Sequence, residues 1–568
     1  MLPTSRILLA VFLLVDMGCG TTEGDPRPPA TLARGLITDH AMVVSAHPLA
    51  TEVGVQVLRA GGNAIDAAVA VHQALAVVLP WAGNIGGGGF MVIRMADGTV
   101  HSLDFRETAP AAAARDMYLD ERGTVITQLS LLGHKAAGVP GAVAGMFAAL
   151  DSLGSLPMEQ LIQPAIDLAT NGFALTAHEA NELNAAMADL QRTNTRPNAY
   201  TGRVHWNTGD SLRLPELAGT LTRIRDHGRD GFYSGETAAL IVAETERGGG
   251  LMTIDDLAAY RAVWRPHMEG NYRGCAVYGM APPSSGGIAL MQLLEAIEPM
   301  DVREAGVLRS ATIHRMVEAE RRVYADRATH LGDPDYLRVP AGGLIDSIYI
   351  RDRMVDFDPL RATLSTTIAA GMPKETEHTT HFSIVDAAGN AVSCTTTLND
   401  SYGSKVVVGG AGFLLNNQMD DFSAAPGTPN AYGLIGGEAN SIAPGKRMLS
   451  SMSPTIITRE GKLLMVVGTP GGSTIITSVF QVVLDVLDHG MTMQEAVATP
   501  RFHHQWLPDS IQVETGAIKS EDSLALTRMG HSFMTRAPIG RVDAILVLPD
   551  GRLEGGADPR GDDRAGGY

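Results

Sequence analysis

The stretch TTHFSIVDAAGNAVSCTTTLN, residues 379 to 399, limits what this chain can fold into more than any other part of it. Two strand-like runs flank Asp386-Ala387-Ala388-Gly389-Asn390, a turn signal whose three-residue loop pairs Asp386 with Asn390. Counting outward in that register sets Thr379 opposite Thr397. Side chains alternate between the two faces of a strand, so Thr379, Thr397 and Asn399 share one face. The other face carries Thr380, Phe382, Ile384, Val392, Cys394 and Leu398. It is mostly apolar and is expected to meet a core, with Cys394 as an inert buried thiol. The register therefore sets two hydroxyls side by side where a strand begins.

A threonine hydroxyl is a poor nucleophile at its own pKa. It becomes a useful one when its own α-amine is the base, which requires the residue to be N-terminal. Here that needs cleavage of the His378–Thr379 bond. The Thr379 hydroxyl can attack the preceding carbonyl, and hydrolysis of the resulting ester frees the amine. Residues 366 to 378 are rich in Pro, Gly, Lys and Glu and are expected to form an exposed linker just before it. Taken alone, a threonine at a strand start commonly caps or packs and does nothing more. Two other stretches strengthen the chemical reading. KLLMVVGTPGGSTIITSVF reads as strand, glycine turn and helix, with the helix over 474 to 487. Gly471 and Gly472 then present backbone N–H groups at a helix N-terminus, a geometry suited to a developing oxyanion; a plain tight turn uses the same residues. MLSSMSPT places Ser450 and Ser451 just before a strand, where solvated loop hydroxyls are also ordinary.

Elsewhere, NAIDAAVAVHQALAVVL is apolar on most faces and predicts a buried helix. The following PWAGNIGGGGF lacks the Lys-Ser/Thr of a phosphate-binding loop, so its four glycines read as a tight turn. FMVIRMADGTVHSLDFRET predicts a hairpin around Asp97-Gly98, with Leu103 and Phe105 on one face and Asp104 and Arg106 on the other. Residues 140 to 270 are mostly helical in pattern, further helices are expected over 288–298 and 311–330, and strands are expected to dominate from 379 up to 474. No repeat of solenoid period is present.

The 568 residues suit one large layered α/β unit, and 45% hydrophobic with 19% charged residues is ordinary for a protein with a substantial core. A net charge of −18 without a basic cluster argues against nucleic acid and anionic membrane as partners. Three cysteines do not make a disulfide framework. His378 and His381 have no third ligand clustered beside them, so no metal is expected. At the N-terminus Arg6 precedes the apolar run ILLAVFLLV, which is too short to span a bilayer. DMGCG follows, with Gly18 before Cys19. This is similar to a lipoprotein signal, although Asp16 stands where such signals prefer an aliphatic residue; a plain secretory signal is the alternative. Both readings predict an exported protein, periplasmic or extracellular, with a signal over residues 1–19, a flexible tether over 20–36 and, in the first reading, a lipid anchor on Cys19.

Many segments, in order from about residue 35 to 568, resemble one family. They include GGNAIDAAVA, GNIGGGGFMVIR, LDFRETAP, APPSSGG, EAERRVYADRATHLGDPDY, TTHFSIVD, TTTLN, GFLLNNQMDDFS, PGKRMLSSMSPT, TPGGS and DPRGDDRAGGY. The family is that of the γ-glutamyltransferases, or γ-glutamyltranspeptidases. The resemblance implies an α/β (α+β) fold of the N-terminal-nucleophile hydrolase type, a four-layer αββα sandwich made from a self-cleaved precursor. A large chain, 37–378, and a small chain, 379–568, would form a heterodimer. Thr379 would be nucleophile and base, and Thr397 would hold its amine and assist maturation. Arg106, helped by Ser450 and Ser451, would grip a substrate α-carboxylate. Asp421, helped by Asn399 and Gln418, would bind the α-ammonium. Gly471 and Gly472 would form the oxyanion hole, and Tyr432 would sit on a lid loop. The implied reaction cleaves the γ-glutamyl amide of glutathione and related compounds, without cofactor, and passes the glutamyl group to water or to an amino-acid or peptide amine. Two alternatives are a glutaryl or cephalosporin acylase, whose substrates lack the α-ammonium, and a catalytically inactive surface binding protein.

Overall fold

A computed structural model describes residues 33–368, 378–424 and 437–568. The expected signal and most of the tether, the stretch 369–377 of the linker, and Tyr432 lie outside the described residues.

The hairpin forms in the expected register. Strand His378–Val385 pairs antiparallel with Ala391–Asn399, and Thr379 stands opposite Thr397. The pairing shifts between His378 and Thr379, so the regular ladder begins at the threonine. Asp386 organises the turn. Its carboxylate accepts from the backbone N–H groups of Ala388 and Asn390, both at 2.9 Å, and from the Asn390 amide at 2.7 Å. It also accepts from the Ala64 N–H at 2.9 Å, which ties the turn to the start of helix Ala64–Val78. Gly389 has φ 88°, a conformation that costs glycine little.

Among the described residues the hairpin is the centre of a seven-stranded antiparallel sheet. Its order is Arg564–Gly567, Met42–Ser45, His378–Val385, Ala391–Asn399, Gly88–Arg94, Val100–Asp104 and Val263–Arg265. A second antiparallel sheet of seven strands stacks on it, with Lys462–Gly468 and Asp543–Val547 facing the hairpin. The Ser393 hydroxyl donates across the gap to the Val467 carbonyl at 3.1 Å, and the Ser383 hydroxyl to Asp543 at 2.9 Å. Helices cover both outer faces. Phe382, Ile384, Cys394 and Leu398 enter the core beneath helices such as Ala64–Val78, every residue of which is buried. Each large apolar side chain so enclosed is worth roughly 1.5–3 kcal/mol. Helices Gly286–Ile297 and Thr474–Leu487 pack on the second sheet, and Ser310–His330 packs against Gly286–Ile297. The layers are helix, sheet, sheet, helix, the four-layer sandwich expected.

Two expectations are corrected. Gly86–Gly89 do not form a tight turn: none has positive φ, and Gly88 and Gly89 already belong to a strand. They are small because backbone lies against them. A Cβ would come within 2.1 Å of the Leu414 carbonyl oxygen at Gly86, 2.0 Å of Thr397 at Gly87, 2.4 Å of Phe105 at Gly88 and 2.3 Å of Thr395 at Gly89. Strands also do not dominate up to residue 474. Between Asn399 and Thr455 the described residues hold short 3₁₀ turns, Gln418–Asp421 and Glu438–Asn440, with isolated bridges. Asn416 accepts from the Gln418 N–H, and Asn440 bonds the Asp421 carbonyl and the Leu449 N–H, so side chains satisfy backbone there in place of a ladder.

At the N-terminal side the chain is tied down from Ala33, whose N–H donates to Glu495 at 3.1 Å, and Gly35 donates to Glu554 at 3.1 Å. Among the described residues no helix is long and apolar enough to cross a membrane.

Candidate active site

The polar face of the hairpin meets the second sheet. There the Thr379 hydroxyl donates to the Thr397 hydroxyl at 3.3 Å, and both residues are buried. The Thr397 oxygen also accepts the Asn399 N–H at 2.7 Å. Asn399 sits at φ 76°, a left-handed conformation that asparagine tolerates better than most residues, and its amide donates to the Asn417 carbonyl at 3.2 Å.

Reading across the sheet, Thr397 neighbours Gly88, and Gly89 exchanges hydrogen bonds with Phe105. Arg106 therefore follows three strands from Thr379, roughly 14 Å in backbone distance. Leu103 and Phe105 enter the outer core, so Asp104 and Arg106 fall on the threonines' face, as the alternation predicts. The Arg106 guanidinium donates to the Asp421 carboxylate, to the Leu449 carbonyl at 3.2 Å and to Met448 at 3.4 Å. Leu449 leads directly into Ser450 and Ser451, so one side chain gathers three predicted binding elements. Asn440 locks them together. Its amide donates to the Asp421 carbonyl at 2.6 Å, and its oxygen accepts from the Leu449 N–H at 3.0 Å.

The serines are held by the segment APPSSGG. Ser450 donates its N–H to Pro283 at 3.0 Å, and its carbonyl accepts both the N–H and the hydroxyl of Ser285 at 2.7 Å. The Ser451 hydroxyl accepts from Arg327 at 2.7 Å. Gln418 is fully enclosed, and neither polar atom of its side chain has a hydrogen-bond partner among the described residues. Such a buried amide costs about 1–3 kcal/mol unless a polar group meets it.

The glycine turn comes from the opposite sheet. The His381 ring packs on Gly468, where a Cβ would come within 2.3 Å of it. Strand Lys462–Gly468 therefore ends at the Thr379 end of the hairpin. Gly471 (φ 136°) and Gly472 (φ 55°) follow, and their carbonyls accept from Thr474 and Ile475, both at 3.1 Å, as helix Thr474–Leu487 begins. The turn thus lies where helix N–H groups have no partner within the helix.

Burial shapes the charges. Glu107, adjacent to Arg106, is fully enclosed, and burial pushes its carboxyl up to about 7 against the opposing pull of the Arg106 guanidinium, 3.5 Å away. Asp104 pairs with Arg265 at 3.0 Å and with Arg447 at 3.3 Å. Burial pushes His381 down to about 3, so its ring is neutral, and its nitrogens meet Thr395 at 2.9 Å and Ser383 at 3.1 Å. The arrangement can hold a hydroxyl nucleophile against a second hydroxyl and offer a cation and an anion for a zwitterionic ligand.

Thr379, Thr397 and Asn399 adjoin one another, and Arg106, Asp421, Ser450 and Ser451 are joined through Leu449 and Asn440. Glu107, Asn440 and Arg327 were missed by sequence reasoning. For Arg327 a signal existed, since a helix as charged as EAERRVYADRATH that packs into a core must direct its charges at partners.

Residues 50–568 match the family model described as gamma-glutamyltranspeptidase. The chain is 44% identical over 579 aligned residues to the glutathione hydrolase proenzyme of Escherichia coli, with 100% of each covered. It is 48% identical over 529 residues to the glutathione hydrolase proenzyme of Pseudomonas aeruginosa, covering 92% of this chain and 94% of that one. Among solved structures, the cephalosporin acylase of Bacillus halodurans superposes with a TM-score of 0.84 at 26% identity, covering 96% of this chain and 98% of that one. With this match over nearly its whole length and the site geometry that accompanies it, the chain belongs to the γ-glutamyltranspeptidase family.

Proposed function

We propose that this enzyme is a self-processing γ-glutamyl hydrolase and transferase whose nucleophile is Thr379. The observation that carries the reading is the 3.3 Å approach of the Thr379 and Thr397 hydroxyls, on a buried sheet face that also bears Arg106 with its Asp421 partner. Maturation begins when the Thr379 oxygen attacks the His378 carbonyl. The peptide bond gives way to an ester, water hydrolyses the ester, and His378 keeps a carboxylate while Thr379 gains a free α-amine. The large chain 37–378 and the small chain 379–568 remain together as a heterodimer, since the sheets draw strands from both.

In turnover the α-amine takes the hydroxyl proton as the Thr379 oxygen attacks the γ-amide carbon of glutathione or a related compound. The amine leaves with that proton, and a γ-glutamyl ester of Thr379 remains. Water or an amino-acid or dipeptide amine then takes the acyl group and restores the hydroxyl. Gly471 and Gly472 N–H groups stabilise the oxyanion of each tetrahedral intermediate, a contribution of about 3–4 kcal/mol per donor in other acyl-transfer enzymes. Arg106 takes the α-carboxylate with Ser450 and Ser451, and Asp421 takes the α-ammonium with Asn399 and Gln418. Export under the N-terminal signal, either as a secreted protein or with a lipid on Cys19, brings the enzyme to extracytoplasmic glutathione.

A denaturing gel with N-terminal sequencing tests the core of this reading. Two bands are expected, the smaller beginning Thr-Thr-His-Phe, and Thr379→Ala is expected to give one uncut chain. An unbroken wild-type chain that still turns over γ-glutamyl amides would overturn it. The acylase reading draws support from the likeness to the cephalosporin acylase, but an acidic Asp421 suits a substrate that carries an α-ammonium. Release of glutaryl groups much faster than γ-glutamyl groups would favour the acylase.

A further inference from the structure

Helix Ser310–His330 has no part in the reaction above, yet it buries Glu318, Glu320, Arg321, Arg322 and Arg327. Charged groups are seldom enclosed unless each is directed at a partner. Tyr324 and Arg327, three residues apart, share one side of the helix. The Tyr324 hydroxyl donates to the Ser473 carbonyl, one residue beyond the Gly471-Gly472 turn. The Ser473 side chain is held separately, its hydroxyl donating to Gln505 at 2.8 Å. Arg327 donates through Nε to the Ser285 hydroxyl and through Nη2 to the Ser451 hydroxyl, both at 2.7 Å.

The chemistry of the second contact is directional. A guanidinium only donates, so the Ser451 oxygen accepts, and its single proton is left to donate to another acceptor. Ser285 accepts from the same guanidinium but spends its proton on the Ser450 carbonyl at 2.7 Å. Arg327 thus makes Ser451 a donor, as a carboxylate ligand requires. Tyr324 fixes the peptide that follows the turn, and with it the aim of the turn's N–H groups.

We infer that Tyr324 and Arg327 are positioning residues that use one rigid helix to set the two ends of the site at once, Tyr324 the oxyanion turn and Arg327 the carboxylate-binding serine. The inference rests on the roles proposed above for Ser451 and for Gly471-Gly472. It predicts a division of effects, because one residue serves groups that act on the transition state and the other serves groups that bind the ground state as well.

The test measures three quantities on processed enzyme: kcat for a γ-glutamyl anilide, the inhibition constant of free L-glutamate, and that of a tetrahedral γ-boronate analogue of glutamate. Tyr324→Phe is expected to lower kcat about 10-fold and weaken the boronate by a similar factor, with the glutamate constant unchanged. Arg327→Lys, which keeps the charge but loses the two-pronged donor, is expected to raise the glutamate constant about 10-fold with kcat within about twofold, the scale of one charge-assisted hydrogen bond. If Arg327→Lys fails to mature, Ser285→Ala removes the other anchor of the guanidinium and is expected to raise the glutamate constant by a smaller factor. Ser451→Ala is measured alongside. If it leaves the glutamate constant unchanged, the assignment of Ser451 fails. If it raises the constant and neither Arg327→Lys nor Ser285→Ala does, the positioning role of Arg327 fails while the site assignment stands. A boronate that binds wild-type enzyme no better than glutamate does would remove the oxyanion assignment of the turn. If the boronate binds wild-type enzyme tightly, a Tyr324→Phe enzyme with unchanged kcat and unchanged boronate affinity overturns the role of Tyr324. So does one in which kcat falls and both inhibition constants rise together with a loss of melting temperature.

Discussion

The Arg106 guanidinium donates to the Asp421 carboxylate, a partner 315 positions away in the sequence, and both side chains are almost wholly enclosed. Burying two charges is costly, and removing one partner leaves the other stranded. The pair matches in sign the carboxylate and ammonium of an amino acid. Asp421→Asn keeps the shape and removes the charge. The ratio of kcat/KM for a γ-glutamyl anilide to that for a glutaryl anilide is expected to fall by about 30-fold or more, the lower end for a truncated buried charge pair. An unchanged ratio would show that Asp421 does not read the ammonium.

Thr397 meets Thr379 through its hydroxyl. Thr397→Val is nearly isosteric, so the sheet should survive, while self-cleavage of the precursor slows by about 10- to 100-fold, as for loss of a hydrogen bond worth about 1.5–3 kcal/mol. Thr397→Ser should restore most of the rate. A time course of band conversion on a denaturing gel measures this, and equal rates for the valine and wild-type chains would rule the role out.

Gly87 lies against the Thr397 carbonyl, where a Cβ would come within 2.0 Å. A strand carbonyl cannot swing away as a flexible side chain can. Gly87→Ala should destabilise the protein by about 1–3 kcal/mol and impair processing, because the displaced residue is Thr397. Gly342→Ala, with nothing within 4 Å of the added carbon, is the control. The comparison needs a melting temperature and the fraction cleaved, and equal values for the two variants would contradict the close-approach account.

Two buried groups predict pH effects of opposite sign. Burial lowers His381 from an ordinary 6.5 to about 3. A folded-state value below the unfolded one gives stability that is present above pH 6.5 and is lost as pH falls toward 3. The stability gap between wild type and His381→Gln should therefore shrink by about 2 kcal/mol between pH 6.5 and 5. Burial raises Glu107 from 4.5 to about 7. Its contribution is present below pH 4.5 and is lost as pH rises through 7, so the gap to Glu107→Gln should shrink by about 3 kcal/mol in that direction. Denaturant unfolding at several pH values gives both gaps, and parallel curves for variant and wild type would sink either claim.

The sequence by itself determined what strand alternation and turn chemistry can reach. The pairing of Thr379 with Thr397, the opposed faces of Leu103–Arg106 and the helix over 474–487 all follow from neighbours within about twenty residues. Their physics is local, a fixed two-residue period and a loop of defined length. Roles for Arg106, Asp421 and the serines came only through family resemblance, because no spacing rule joins residues 106 and 421.

Tertiary packing decided the rest. Four glycines that read as a turn are instead a thin floor against the carbonyls of Leu414, Thr397, Phe105 and Thr395. Glu107 looks like an ordinary surface acid in the sequence, and only its enclosure gives it a raised pKa. Arg327 finds Ser451 because a helix and a loop from distant parts of the chain meet over one sheet. A side chain's neighbours across layers depend on how whole elements stack, and that arrangement is a property of the assembled core, invisible to any window along the chain.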